Sequence, residues 1–329
     1  MATRYFASLG ANRADSGFRA LVYDSLCGQT CKNLLNPHFF WFQSPTAGSG
    51  TKRLYDGRSQ SLCNVAQTTD TICMWASRVL YIGALPDLEM HRQAAALLCV
   101  GLERPFGVRL ETGQAVLTRS ALVGPQIMHA VETFGGRCAY LLFDPDAADY
   151  EYLRSGSGDE AVSGVFVDFA EEKSWIQILH AIGAAEGIAA TQSLLTGLEL
   201  ATSSGAKPVI DARIKAVIEL LVNDTGESVP IERLAQQVDI SASRLAHLFK
   251  EQVGIPIRMF RTWIRLKTAA QYLSEGMLLT EAALRAGFYD SAHFANTFRD
   301  TFGLPPSAVF GQQRALKWFI ASATAAALA

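Results

Sequence analysis

Two sets of polar and basic side chains stand at matching places in this sequence. The first is Ser243, Arg244, His247 and Lys250; the second is Ser291, His293, Asn296, Thr297 and Arg299. Each set is interleaved with apolar residues at helical spacing, Leu245, Leu248 and Phe249 in one and Phe294 and Phe298 in the other. On a helix the polar set therefore faces outward and the apolar set faces a core. Short hydrogen-bonding side chains near a helix N-terminus, with Lys and Arg around them, are what base edges and phosphates require. The chemistry on offer is recognition. Catalytic signatures are missing: there is no G-x-S-x-G, no Walker A and no H-E-x-x-H, and Gly10 and Gly48-Ser49-Gly50 lack a strand-to-helix frame for phosphate. Asp144-Pro145-Asp146 reads as a turn in preference to a carboxylate pair. The six cysteines, Cys27, Cys31, Cys63, Cys73, Cys99 and Cys138, all precede residue 139 and read as reduced thiols. Cys27 and Cys31 have no second pair at finger spacing, so neither a metal nor any other cofactor is expected.

The two sets belong to a duplication. Phe249-Lys250-Glu251-Gln252-Val253-Gly254-Ile255-Pro256 recurs as Phe298-Arg299-Asp300-Thr301-Phe302-Gly303-Leu304-Pro305, 49 residues later. A fixed offset marks a repeated supersecondary unit. Each unit is a short helix, a tight break and a second helix: 231–238 then 242–252, and 281–286 then 291–301, the plan of a helix-turn-helix. The candidate helices along this part are therefore 210–222, 230–237, 242–252, 257–274, 281–286 and 291–301. Ser241 and Ser291 stand at N-cap positions, and Gly254, Gly276, Gly287 and Gly303 at C-termini. The helix 257–274 carries Arg258, Arg261, Arg265 and Lys267, and as a rigid spacer would set two recognition helices roughly 34 Å apart, in successive major grooves.

The remaining elements must position these helices. The chain has 329 residues, 49% of them hydrophobic and 18% charged, enough for two cores and too apolar for a disordered chain or a small polycation. The formal charge of −2 hides a cancellation. Residues 241–317 hold ten Lys and Arg against five Asp and Glu, a net of +5, whereas residues 1–206 hold fifteen against twenty, a net of −5. The basic block coincides with the repeat, where phosphates would be met. No apolar stretch reaches the roughly 18 residues of a membrane helix, and the N-terminus has no apolar signal region, so a cytosolic location and no membrane partner are expected. Residues 1–70 read as an extension containing a buried aromatic strand, Phe39–Phe42. Residues 71–145 read as many short strands, a sandwich or barrel: 72–82, 94–101, 106–110, 115–117, 121–123, 129–134 and 138–143. Residues 146–170 read as an acidic excursion, 172–201 as two helices parted by Gly183 and Gly187, 202–208 as a linker and 311–329 as a tail whose end is a weak helix or fray.

Residues 209–310 resemble the DNA-binding region of the AraC/XylS family of bacterial transcription regulators. The resemblance is carried by Leu234-Ala235, Ser241-Ala242-Ser243-Arg244-Leu245, Leu248-Phe249-Lys250, Gly254, Arg265, Ala269, Leu273, Ala283, Gly287-Phe288, Phe294, Phe298-Arg299, Gly303 and Pro305-Pro306-Ser307. It implies a fold of two parts, a β-rich cupin-like barrel followed by helices over 71–201 and an all-α, homeodomain-like double helix-turn-helix domain. It implies base contacts from Ser243, Ala246, His247, Ser291, Ala292, His293 and Asn296. The two Ala can offer only van der Waals contact, for example to a thymine methyl. Phosphate contacts would come from Arg244, Lys250, Arg258 and Arg299. The family's sensory barrel encloses a small molecule, and the pocket candidates are Trp75, Arg78, His91, Gln93, Arg109 and His129. Gln93 stands where a metal-bearing cupin has its second His, which argues against a metal. The implied partners are double-stranded promoter DNA, a small-molecule effector, a second copy through helices in 172–200, and RNA polymerase if the protein activates. Two alternatives stand beside this reading: a ligand-independent regulator, and a cupin-type metalloenzyme with an appended DNA-binding domain.

Overall fold

The apolar runs before residue 144 lack strict alternation because the sheet that they build is covered on both faces, as buried strands are. The computed structural model describes residues 69–156, 159–202, 210–223, 229–311 and 315–321. The expected extension up to residue 68, with the aromatic run Phe39–Phe42 and Cys27, Cys31 and Cys63, lies outside the described residues, as do linker positions 203–208 and the tail beyond 321. All described residues belong to one unit, Cys63–Ala329.

The larger sheet contains β1 (Asp70–Trp75), β2 (Arg78–Gly83), β4 (Ala96–Gly101), β7 (Ser120–Val123), β9 (Cys138–Phe143), β10 (Asp159–Val162), β11 (Val165–Val167) and β12 (Leu316–Ile320), in the order β10-β11-β7-β4-β9-β2-β1-β12. The smaller contains β3 (Leu88–His91), β5 (Phe106–Leu110), β6 (Ala115–Thr118) and β8 (His129–Glu132), in the order β3-β8-β5-β6. Every residue of β1, β4 and β9 is buried. Ile72, Met74, Tyr81, Leu97 and Leu142 share a core with the smaller sheet and the C-terminal helices. Their neighbours Cys73, Leu80, Ile82, Leu98 and Leu141 point the other way. That second core is closed by α2 (Glu172–Ala184) and α3 (Ile188–Thr202) through Trp175, Leu179, Ile182, Leu195 and Leu198.

Four expectations need correction. The run 72–82 is two strands, because Ala76 at φ 44° turns the chain and Trp75 pairs with Arg78 across a hairpin. β3 was not foreseen; it is a four-residue edge strand without an apolar run. Residues 146–170 hold a helix, α1 (Asp149–Gly156), and the β10–β11 hairpin, which joins the larger sheet through β7. The segment read as a tail contains β12, which runs parallel to β1 with Ile72 opposite Trp318. Its Phe319 is buried in the second core.

The C-terminal helices are α4 (Ala212–Asn223), α5 (Ile231–Gln237), α6 (Ala242–Val253), α7 (Ile257–Ser274), α8 (Leu279–Arg285), α9 (Ser291–Phe302) and α10 (Ser307–Phe310). Ser241 caps α6, its Oγ accepting from the Arg244 amide at 3.2 Å. Asp290, not Ser291, caps α9, its carboxylate accepting from the His293 amide at 2.7 Å; a carboxylate serves the same orphan donors and also meets the helix dipole.

His91 and His129 lie side by side where β3 pairs with β8, with ring centroids 4.3 Å apart. Each directs Nδ1 at a carbonyl, Glu89 O at 2.7 Å and Ile127 O at 2.9 Å. Burial, with a further push from His91, lowers the His129 pKa to about 3. The unfolded chain takes up this proton near the ordinary value of 6.5, so the associated stability is intact above that pH and is lost as pH falls towards 3. We expect urea unfolding at pH 5 to give a stability about 2 kcal/mol below that at neutral pH, and His129→Phe to flatten the decline; an equal decline in the variant would contradict the assignment. Phe319→Ala should cost about 3 kcal/mol in the same measurement if β12 is an integral strand, and almost nothing if it is a tail.

Candidate nucleic-acid interface and the cavity beneath it

Helices α6 and α9 each divide as their sequences require. On α6, Leu245, Leu248, Phe249 and Val253 are buried, and Ser243, Arg244, Ala246, His247 and Lys250 are exposed. On α9, Phe294 and Phe298 are buried, and Ser291, Ala292, His293, Asn296 and Arg299 are exposed. Arg258 is exposed in the first turn of α7, the helix that joins the two units. His293 is held in place: its Nδ1 accepts from the Tyr289 amide at 3.3 Å, and its ring meets Phe288 edge-on at 5.5 Å. A neutral imidazole whose Nδ1 accepts carries its proton on Nε2 and offers a donor there. Tyr289, in the turn before α9, is 86% exposed. Nothing in the sequence marks it, since a lone aromatic in a turn carries no periodic signal.

Beneath this surface the helices meet the β-rich part. Trp263 Nε1 donates to Asp144 Oδ1 at 2.7 Å, and Lys267 Nζ lies 2.8 and 2.6 Å from the two carboxylate oxygens. The turn after β9, read from sequence as a mere turn, thus anchors α7. At the far end of α9, Glu89 N donates to Gly303 O at 2.7 Å. Gly303 has φ 71°, and a Cβ there would stand 2.4 Å from Glu89 O, so this close approach needs glycine. Arg299 donates to both Glu89 oxygens at 2.8–3.2 Å. In this conformation the guanidinium is engaged by Glu89 of β3, and the pair is solvent-exposed. Aromatic rings continue the seam, from Phe288 through Phe294, Phe298 and Phe310 to Trp318 of β12, with successive centroids 5.1–6.0 Å apart.

A cavity of about 120 Å³ lies in this seam. The larger sheet contributes Ile72, Met74, Tyr81 and Leu97; α7 contributes Trp263 and Leu266; α9 contributes Phe294 and Phe298. Of the six pocket candidates, His91 and Gln93 line it. The other four do not. Trp75 and Arg78 fall on the opposite face of the sheet, where Arg78 is bound by Asp149 at 2.6 Å and Glu199 at 3.0 Å, joining β2 to α1 and α3. Arg109 is half-exposed on the smaller sheet, 3.3 Å from Glu132. His129 is fully buried beside His91. Gln93 is 2% exposed, and its Nε2 has no hydrogen-bond partner among the described residues.

Residues 234–312 match the family described as a helix-turn-helix domain. The arabinose operon regulatory protein of Escherichia coli (strain K12) is 31% identical over 118 residues, which are 35% of this chain and 40% of that protein. The transcriptional activator RhaS of Klebsiella pneumoniae (strain 342) is 30% identical over 97 residues, 29% of this chain and 35% of its own. The chain thus spans less than half the length of these relatives. Among solved structures, unsaturated fatty acid bound wild-type ToxT from Vibrio cholerae is similar at a TM-score of 0.48 and 11% identity, over 72% of this chain and 95% of that one. The duplicated units, their outward polar faces and the family match together identify residues 234–312 as a helix-turn-helix domain.

Proposed function

We propose that this chain is a sequence-specific DNA-binding transcription regulator, with α6 and α9 as its two recognition helices and the seam cavity as the seat of a small-molecule effector. It binds; it does not catalyse. The observation that carries the reading is the division of α9: its polar side faces solvent with Ser291, His293 and Asn296, while Phe294 and Phe298 on its other side line the cavity. A molecule in the cavity touches the back of the helix that reads DNA. The names of the relatives, all regulators, support the same reading. A homodimer formed through α2 and α3 would use their outer side, where Ile188 is 74% exposed, because their buried faces pack on the larger sheet.

In this reading His247 and His293 contact base edges, and Arg244, Lys250 and Arg258 contact phosphates. The test is selection of a binding site from random duplexes by the full chain, followed by titration of the variants on the selected duplex. His247→Ala should cost about 1–3 kcal/mol and relax the preference at one position. Arg244→Ala should weaken binding to all duplexes alike and lower the salt slope by about 1. If both variants bind as the parent does at matched salt, the docking of α6 is wrong. Because the Glu89–Arg299 pair is solvent-exposed, its release is worth little, so Glu89→Ala should tighten binding by about two- to fivefold; weaker binding would count against competition between β3 and DNA for Arg299.

A further inference from the structure

We propose that the seam cavity takes a small, uncharged molecule, about one ring in size and bearing one carbonyl or hydroxyl oxygen, held by the side-chain amide of Gln93. The proposal rests on the reading of this cavity as the effector site and adds the chemistry of what enters it. Size comes first. The cavity measures about 120 Å³, and an apolar cavity of about 150 Å³ suits benzene.

Charge comes second. Lys267 is the one cationic side chain among the described lining residues, and both oxygens of Asp144 hold its ammonium at 2.6 and 2.8 Å. An anionic ligand would find that charge already matched and a carboxylate beside it, in surroundings where desolvation is costly. His91 supplies no positive charge either, since burial holds its pKa below the ordinary value.

Hydrogen bonding comes third. Gln93 is buried, lines the cavity and has an Nε2 without a partner among the described residues. A buried unmet donor costs about 1–3 kcal/mol, which a ligand oxygen would recover and a pure hydrocarbon would not. The aromatic lining, Tyr81, Trp263, Phe294 and Phe298 among it, suits a flat ring.

The experiment is ligand-observed NMR titration of the full chain with four probes: toluene, phenol, benzamide and benzoate. Phenol, benzamide and toluene should bind, and benzoate should bind about tenfold or more weakly than benzamide, which equals it in size. In Gln93→Leu the preference for phenol over toluene should fall by about tenfold, with toluene binding kept; Gln93→Met serves if the Leu variant unfolds. An unchanged preference would overturn the role of Gln93. Benzoate binding as tightly as benzamide would overturn the requirement for a neutral ligand. If none of the four binds the parent chain, the effector reading of the cavity fails with it, whereas DNA selection by α6 and α9 would stand.

Discussion

The apolar face of α9 is buried on the β-rich part of the molecule, and most of what distinguishes this structure follows from that contact. Phe294 and Phe298 complete the cavity against Ile72, Met74 and Tyr81. The C-terminal end of the same helix docks on β3 through Gly303 and Arg299. α7, which carries α9's unit, is tied by Trp263 and Lys267 to Asp144. Beyond α10 the chain returns as β12 to the edge of the larger sheet, with Trp318 stacked on Phe310. Apolar burial supplies the bulk of this attachment; the exposed Glu89–Arg299 pair sets its geometry and adds little energy.

Such an arrangement gives one helix two tasks with opposed demands. Under the proposed function its outer side needs freedom to settle into a groove, and its inner side is held in a core. The cavity lies between these demands. Under the proposed function a molecule filling it would change the packing behind α9, and by linkage DNA on the front of α9 would change the affinity of the cavity for that molecule by the same factor. The first unit, α5 and α6, carries a comparable polar face without a comparable tie to β3, so the two units are held unequally. The inequality follows the apolar faces, which carry Phe294, Phe298 and Phe302 in the second unit where the first has Leu245, Phe249 and Val253.

The helical part was legible because its signals are local. A repeat at fixed offset, apolar residues at 3–4 spacing and glycines at helix ends all act within a few residues, and Gly254 and Gly303 are indeed in the left-handed region at φ 81° and 71°. The cap of α9 was displaced by one residue because Asp290 and Ser291 are adjacent and both can cap. The β-rich part was less legible because both faces of its larger sheet are apolar. Nothing in Ile72–Trp75 tells which of two alternating sets faces the cavity, and so Trp75 and Arg78 were assigned to a pocket that Ile72 and Met74 line. β12 escaped notice because its pairing with β1 spans most of the chain, a tertiary event that no local pattern encodes. Asp144 looked like a turn residue, and is one; its second role depends on a helix more than a hundred residues away.

Under the proposed function, engagement of DNA by α9 loosens the attachment of this helix to β3. Amide hydrogen exchange at Glu89, whose N–H donates to Gly303 O, measures this directly in the full chain with and without a saturating selected duplex. The expected result is greater protection along α6 and α9 together with faster exchange at Glu89. Protection of both helices with unchanged exchange at Glu89 would mean that DNA and the β-rich part hold α9 independently, and that no such loosening occurs.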